Sequence, residues 1–363
     1  MTEYSSYRDP ATGARVHQVT NAAAISHPSY FLQSSFLPGD RELFFTSYRT
    51  GTAQLFLGEF PDGPIRQLTR GPAIHPFSPA IHPSAREIFF VRGGELWAVT
   101  LDSLLERRVA KLEGGQLGEP SISSSGDWFV AAFRNGAQAG LLVGRCDGST
   151  SHRIPFPRTV IHPQFHPLEE DWIEFAGDPA PRMFRVRRDG TGMECLYEHG
   201  NDEFVVHETF LGRTGDLVFT VWPFRLCRMD WTSRAVRTIA ETNAWHISPN
   251  RPGTQVLCDT NHPDRGIQIV DVVTGTQRCV CLSQSSNQGS QWKTSRYALA
   301  EDFAAARSTA RASGNLSWME AAGDTVYGPQ FTHPHPSWST AEDKVTFASD
   351  RTGTAQVYVA DLT

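Results

Sequence analysis

Phe44-Phe45-Thr46-Ser47-Tyr48-Arg49-Thr50-Gly51-Thr52-Ala53-Gln54-Leu55-Phe56 reads as strand, tight turn, strand, and it returns near the C-terminus as Thr346-Phe347-Ala348-Ser349-Asp350-Arg351-Thr352-Gly353-Thr354-Ala355-Gln356-Val357-Tyr358. In both copies aromatic and β-branched residues flank a polar turn that contains glycine, the pattern of a hairpin. Self-similarity of this kind is the mark of a repeat architecture. Weaker copies lie between the two, with lead-in turns near Pro79-Ala80, Ser123-Ser124, His166-Pro167, Gly212-Arg213 and Ser248-Pro249, and apolar strands beginning near Glu87, Trp128 and Leu217. With the flanking copies this gives seven units of roughly 40–50 residues, the size of a four-stranded propeller blade.

The two ends supply an independent check. The first unit runs on into an outer strand, Pro64-Ile65-Arg66-Gln67-Leu68-Thr69, whereas the last stops at Thr363 without one. Ala14-Arg15-Val16-His17-Gln18-Val19-Thr20 resembles that missing strand. Placed against the last unit, it closes the ring and leaves no open edge. The expected fold is therefore all-β: one domain over residues 1–363, a seven-bladed β-propeller whose last blade is completed by an N-terminal strand. Residues 283–328 are too long for an ordinary connection between blades six and seven. Residues 298–312 are rich in alanine and charge and read as a helix. The insertion reads equally as a lid or one wall of a binding cleft and as a solvated surface loop.

Composition narrows the function. Of 363 residues, 39% are apolar, enough for a large core, and the formal net charge is -6. With no basic cluster, nucleic acid is not an expected partner. No apolar run is long enough for a membrane span, so no membrane partner is expected. The first residues show no apolar signal segment, which predicts a cytoplasmic location. The six cysteines, Cys146, Cys195, Cys227, Cys258, Cys279 and Cys281, have no CxxC spacing and read as reduced thiols rather than a zinc or disulfide framework.

Gln330-Phe331-Thr332-His333-Pro334-His335-Pro336 carries the chemistry. In extended chain His333 and His335 share a face, roughly 6–7 Å apart at Cα. Pro334 biases His333 towards that conformation. Two imidazoles and an amide converging in this way look like three ligands of a divalent metal. Against this, eight of the thirteen histidines precede proline (His27, His75, His82, His162, His166, His262, His333 and His335), so His-Pro is also this chain's turn vocabulary. In a propeller the lead-in to each innermost strand lines the central channel. His246 in Trp245-His246-Ile247 and His207 in Val206-His207-Glu208 occupy such positions in blades six and five, and Arg182 lies in blade four. Each has a plainer alternative: a packed core histidine for His246, an ordinary hydrogen-bonded histidine for His207, and a solvated cation or surface ion pair for Arg182, which lies near Arg185, Arg187 and Arg188.

The run Gln-x-Thr-His-Pro-His-Pro-Ser at Gln330–Ser337, followed by an aromatic residue and a Ser-Asp turn, resembles the last blade of oligogalacturonate lyases. Ser26-His27 with Tyr30-Phe31, His162-Pro163, the Arg182-Met183-Phe184 element 25 residues before His207, and the Trp-His turn at His246 extend the resemblance over most of the chain. It implies a seven-bladed propeller lyase acting on short acidic oligosaccharides. It implies manganese, or another divalent metal, held by His246, Gln330, His333 and His335. It further implies His207 as base and Arg182 as the cation meeting a substrate carboxylate; His27, Tyr30 and His162 are candidates to line the substrate cleft. The family's Thr-His-Glu-Phe is Val206-His207-Glu208-Thr209 here, and the 283–328 insertion replaces an acidic, tryptophan-bearing approach to the final motif. In β-elimination the C5 proton becomes removable once the uronate charge is neutralised, which a divalent cation and an arginine can do, while a histidine suits the proton transfer. Imidazole and amide ligands without a carboxylate favour manganese or a similar ion over calcium.

The alternative from another class is a non-catalytic TolB-like propeller serving as a protein- or sugar-binding platform. The repeats fit it equally, but it gives no reason for the Gln330, His333, His335 and His246 coincidence. A propeller-capped serine peptidase fails for want of a G-x-S-x-G elbow.

Overall fold

The computed structural model describes residues 3–200, 202–261, 263–287 and 329–362. Seven antiparallel sheets follow one another round a ring. The fold is the expected seven-bladed β-propeller. Six sheets have four strands in sequence order; the seventh has five. Among the described residues there is no α-helix, and a 3-10 turn at Gln330–Thr332 is the helical element nearest the candidate ligands. No helix among them is long and apolar enough to cross a membrane. The proposed helix at 298–312 lies outside the described residues, as does the 283–328 insertion beyond Asn287.

Blades stack face to face, so their middle strands are buried on both faces and read as unbroken apolar runs. Phe44 and Phe45 both lie in the core, as do Phe89 and Phe90. Phe89 and Phe129 pack between blades two and three, and Phe175 with Phe156 between blades three and four. Each such side chain contributes about 1.5–3 kcal/mol by leaving water.

Ring closure rests on a hydrogen-bond device that is repeated. In blade one the Thr69 hydroxyl donates to Gln54 Oε1 (2.8 Å) and accepts from the Leu55 amide (2.9 Å). In blade seven Thr20 does the same to Gln356 (2.7 Å) and Val357 (2.9 Å). Thus Thr20 is the edge-strand threonine that the last unit lacks in sequence order. The strand Arg15–Gln18 pairs with Gln356–Asp361 as expected. One strand was not foreseen: Ser5–Arg8 folds back on Arg15–Gln18 and becomes the outermost strand.

The His333–His335 segment departs from expectation. His333 is extended, with φ -99 and ψ 144, as the following proline dictates. Gln330–Thr332 is instead a 3-10 turn, His335 has φ 45, and the innermost strand is confined to Ser337–Trp338. The two imidazoles are thus placed by a turn and a left-handed residue rather than by strand alternation.

Candidate active site

Innermost strands of four consecutive blades break register at the same level. The shift falls between Leu117 and Pro120, Ile161 and Gln164, Val206 and Thr209, and Ala244 and Ile247. Each break is a bulge that leaves two residues outside the ladder and re-aims them towards the channel. Those residues are Gly118-Glu119, His162-Pro163, His207-Glu208 and Trp245-His246. His162 and His207 adopt φ 53 and φ 57, a left-handed conformation that is strained in residues other than glycine. Such strain, about 1–3 kcal/mol for each residue, concentrates where a side chain must be aimed.

The bulges gather a buried cluster of rings. The His246 ring centre lies 3.9 Å from His335 and 5.6 Å from His333, and His333 and His335 are 6.1 Å apart. His207 lies 4.6 Å from His246 and 6.0 Å from His162. Phe31 packs 5.1 Å from His207 and 5.3 Å from His246. The Tyr30 hydroxyl meets His162 Nε2 at 2.9 Å. His27 stacks on Phe77 at 4.5 Å, and Phe77 lies 5.4 Å from His335. Gln330 begins the turn that leads to His333, and its carbonyl accepts from the His333 amide. The structure therefore brings together His27, Tyr30, His162, His207, His246, His333 and His335. His246 faces the His333/His335 pair.

Metal binding can be tested against these atoms. Both Asp259 oxygens serve His246: Oδ1 accepts from its amide (2.7 Å) and Oδ2 lies 2.7 Å from Nδ1. This carboxylate fixes the Nδ1–H tautomer and leaves the Nε2 lone pair facing the cluster, the usual arrangement behind a metal-bound histidine. His246 Nε2 and His335 Nε2 are buried and have no hydrogen-bond partner among the described residues. Buried polar atoms are normally satisfied, so such atoms at one spot call for an explanation. Among the described residues, however, no three His, Cys, Asp or Glu side chains are closed around a common point as metal ligands. The donor set fits a divalent first-row ion, while the rings as placed are adjacent rather than convergent.

Arg182 is neither a solvated cation nor half of a surface pair. It is 4% exposed and binds two buried carboxylates: Asp178, at short range, and Glu208, at 2.9 Å from Nε and 3.5 Å from Nη2. Burial works to raise the Glu208 carboxyl, but the Arg182 guanidinium outweighs it and holds Glu208 below the usual carboxylate range. Gln164 completes the clamp, donating to the Glu208 carbonyl (3.0 Å) and accepting from the Thr209 hydroxyl (2.7 Å). Glu174 is buried nearby, neither carboxyl oxygen hydrogen-bonded to a described residue, and burial raises it well above its ordinary value.

Asp259, Gln164, Glu174 and Glu119 were not identified from sequence. A signal was there for two of them: Asp259 in Val256-Leu257-Cys258-Asp259 and Glu174 in Ile173-Glu174-Phe175 are lone charges in apolar strands, where a charge requires a partner or a proton.

Titration has a definite sign. Burial lowers His27, His75 and His162 to about 4, about 3 and about 4, and pushes His207, His246 and His335 well below 6.5. A depressed imidazole binds its proton more readily unfolded, so its contribution is present above pH 6.5 and is lost on acidification. Glu119 and Asp259, raised to about 7, and Glu174, raised further, act oppositely and lose stability as pH rises. With His166 also lowered and Asp264 also raised by burial, seven imidazoles against four carboxyls leave a net loss towards acid. Urea midpoints of chelator-treated protein are expected to fall between pH 6.5 and 4.5; a constant or rising midpoint would show that these histidines are not buried neutral.

No family model matches the chain. Its sequence aligns with the oligogalacturonide lyase of Pectobacterium atrosepticum at 22% identity, covering 99% of this chain and 96% of that protein. The oligogalacturonate lyase of Dickeya dadantii aligns at 21% with the same coverages. The chain is similar along nearly its whole length to oligogalacturonate lyases. Solved structures agree on the fold. An oligogalacturonate lyase in complex with manganese superposes with a TM-score of 0.83 at 21% identity, covering 100% of this chain and 96% of that one. An oligogalacturonate lyase from Vibrio parahaemolyticus gives 0.81 at 19% identity, covering 100% and 97%.

Proposed function

We propose that this chain is a lyase cleaving short, oligogalacturonide-like uronic-acid oligosaccharides by β-elimination, with a divalent cation, manganese by preference, held by His246, Gln330, His333 and His335. One observation carries the reading: the buried Nε2 atoms of His246 and His335, without a partner among the described residues, on rings 3.9 Å apart, the first oriented by Asp259. Lyase-named relatives of full length, and a manganese complex sharing the fold, support it. A cation bound there supplies Lewis-acid neutralisation of the substrate carboxylate, which acidifies the C5 proton.

The chain's own residues do the rest. Burial, with the neighbouring imidazoles, keeps His207 neutral though weakly basic, and its Nδ1 has no hydrogen-bond partner among the described residues. We assign that atom the C5 proton; the C4–C5 double bond forms as the C4–O bond breaks, and the neighbouring sugar departs as a hydroxyl, its freed oxygen taking up a proton that the His207 imidazolium can return. Phe31, Phe77 and Tyr30 exclude water. His27, Tyr30 and His162 form the wall on which the sugar lies. Arg182 can meet a substrate carboxylate by exchanging Asp178 or Glu208 for it; its present contacts support a role in holding the His207–Glu208 bulge.

Purified protein supplied with manganese and unsaturated digalacturonate, or a glucuronate-containing counterpart, is expected to change the unsaturated-uronide absorbance. Chelation should abolish the change. His207→Ala should lower kcat by about 10²–10⁴ while leaving manganese binding within about twofold. Silence on every uronide with no bound metal would instead favour a binding platform.

A further inference from the structure

One pair of groups beside the histidine cluster takes no part in the proposed chemistry. His75 and Glu119 lie on blades two and three, at the same end of the ring as the histidine cluster. Glu119 occupies the bulge position of blade three that His246 occupies in blade six and Glu208 in blade five. The His75 amide donates to Val91 (2.8 Å), tying blade two's lead-in turn to its second strand, just as Pro334 accepts from Ala348 (2.8 Å) in blade seven. Phe77, two residues after His75, is the ring that touches both His27 and His335. The pair is thus contiguous with the candidate active site.

Its chemistry is unsatisfied. The His75 side chain is 2% exposed, yet among the described residues neither ring nitrogen has a hydrogen-bond partner, and Glu119 Oε2 has none either. His75 Nε2 and Glu119 Oε1 are 4.0 Å apart, too far for a hydrogen bond but the right span for one bridging hydroxyl. Glu119 keeps 17% of its side chain accessible, so the pair is not wholly closed off. Among the described residues no arginine or lysine pairs with it. Burial holds His75 neutral and lifts the Glu119 carboxyl towards 7. The pair therefore offers no positive charge to an anion. It can donate to and accept from hydroxyls.

We propose that His75 and Glu119 form a subsite for a neutral sugar, so that the preferred substrate of this chain joins the cleaved uronate to an uncharged sugar rather than to a second uronate. This rests on the lyase reading above. In a disaccharide the uronate has one neighbour, the sugar carried on O4 and expelled on elimination. A carboxylate on that sugar would face Glu119 with no cation to balance it, whereas a hydroxymethyl group in its place fits the pair's donors and acceptors.

Two disaccharides test this: digalacturonate, and galactosyl-(1→4)-galacturonate, which differs only in carrying a hydroxymethyl group where the expelled sugar has its carboxylate. With manganese-loaded protein the galactosyl compound is expected to show kcat/KM about tenfold or more above digalacturonate, carried in KM. Glu119→Ala and His75→Ala should collapse that ratio to within about twofold, and Glu119→Gln, which keeps a neutral hydrogen-bonding group, should preserve it. Equal or reversed preference in the unaltered protein overturns the subsite, as does equal slowing of both substrates in Glu119→Ala with no effect on the ratio. If manganese-loaded protein turns over neither sugar, the lyase reading fails and takes this inference with it. Should His75→Ala not fold, the Glu119→Ala and Glu119→Gln pair decides alone.

Discussion

Replacing His246 with alanine is expected to lower manganese affinity by more than about a hundredfold and to remove turnover with it. The expectation follows from where the imidazole stands: Nε2 faces His335, and Nδ1 is held by Asp259 at 2.7 Å. Asp259→Ala should give a milder loss of about 10–100-fold in affinity, since it frees the ring without deleting the ligand. A graded pair of this kind separates metal binding from packing. Were His246 merely a core residue, both variants would lower stability and neither would change manganese affinity in the protein that remains folded. Isothermal titration with manganese, alongside urea unfolding, distinguishes the two.

The second large effect is on stability. Arg182→Met leaves the carboxylates of Asp178 and Glu208 buried without their cation, beside Glu174, which is already raised. Breaking a buried ion pair from one side costs about 3–5 kcal/mol. The sign with pH is also fixed. Without Arg182 the Glu208 carboxyl has its folded value raised above the unfolded one, so the lost stability grows as pH rises from 5 to 8. Urea unfolding across that range tests it. A variant as stable as the parent, with kcat/KM alone reduced, would show instead that Arg182 is held loosely and serves the substrate directly.

The fold was legible because propeller blades repeat, and the two best copies include the Thr-Ala-Gln element whose glutamine makes the same hydrogen bonds in blades one and seven. The displaced Thr20 could be matched to Thr69 for the same reason. Lead-in histidines were legible as positions, since the ring brings successive blades to one channel. The bulges that aim His162 and His207 were not, because a register shift depends on the partner strand and leaves no local residue signature. The same holds for the partner of Arg182. Nothing in Arg182-Met183-Phe184 distinguishes it from the nearby Arg185, which pairs with the half-exposed Glu194, and only the sheet register places Asp178 and Glu208 around it. His335 misled in detail: a residue preceding proline ordinarily stays extended, yet here it turns left-handed and swings its ring to His246.

Crystals soaked in manganese and measured at a wavelength where manganese scatters anomalously test the central claim most directly. The account predicts one strong anomalous peak within bonding distance of His246 Nε2 and His335 Nε2, with His333 and Gln330 completing its ligands. A peak elsewhere on the ring, or none at a manganese concentration that supports turnover, would contradict it.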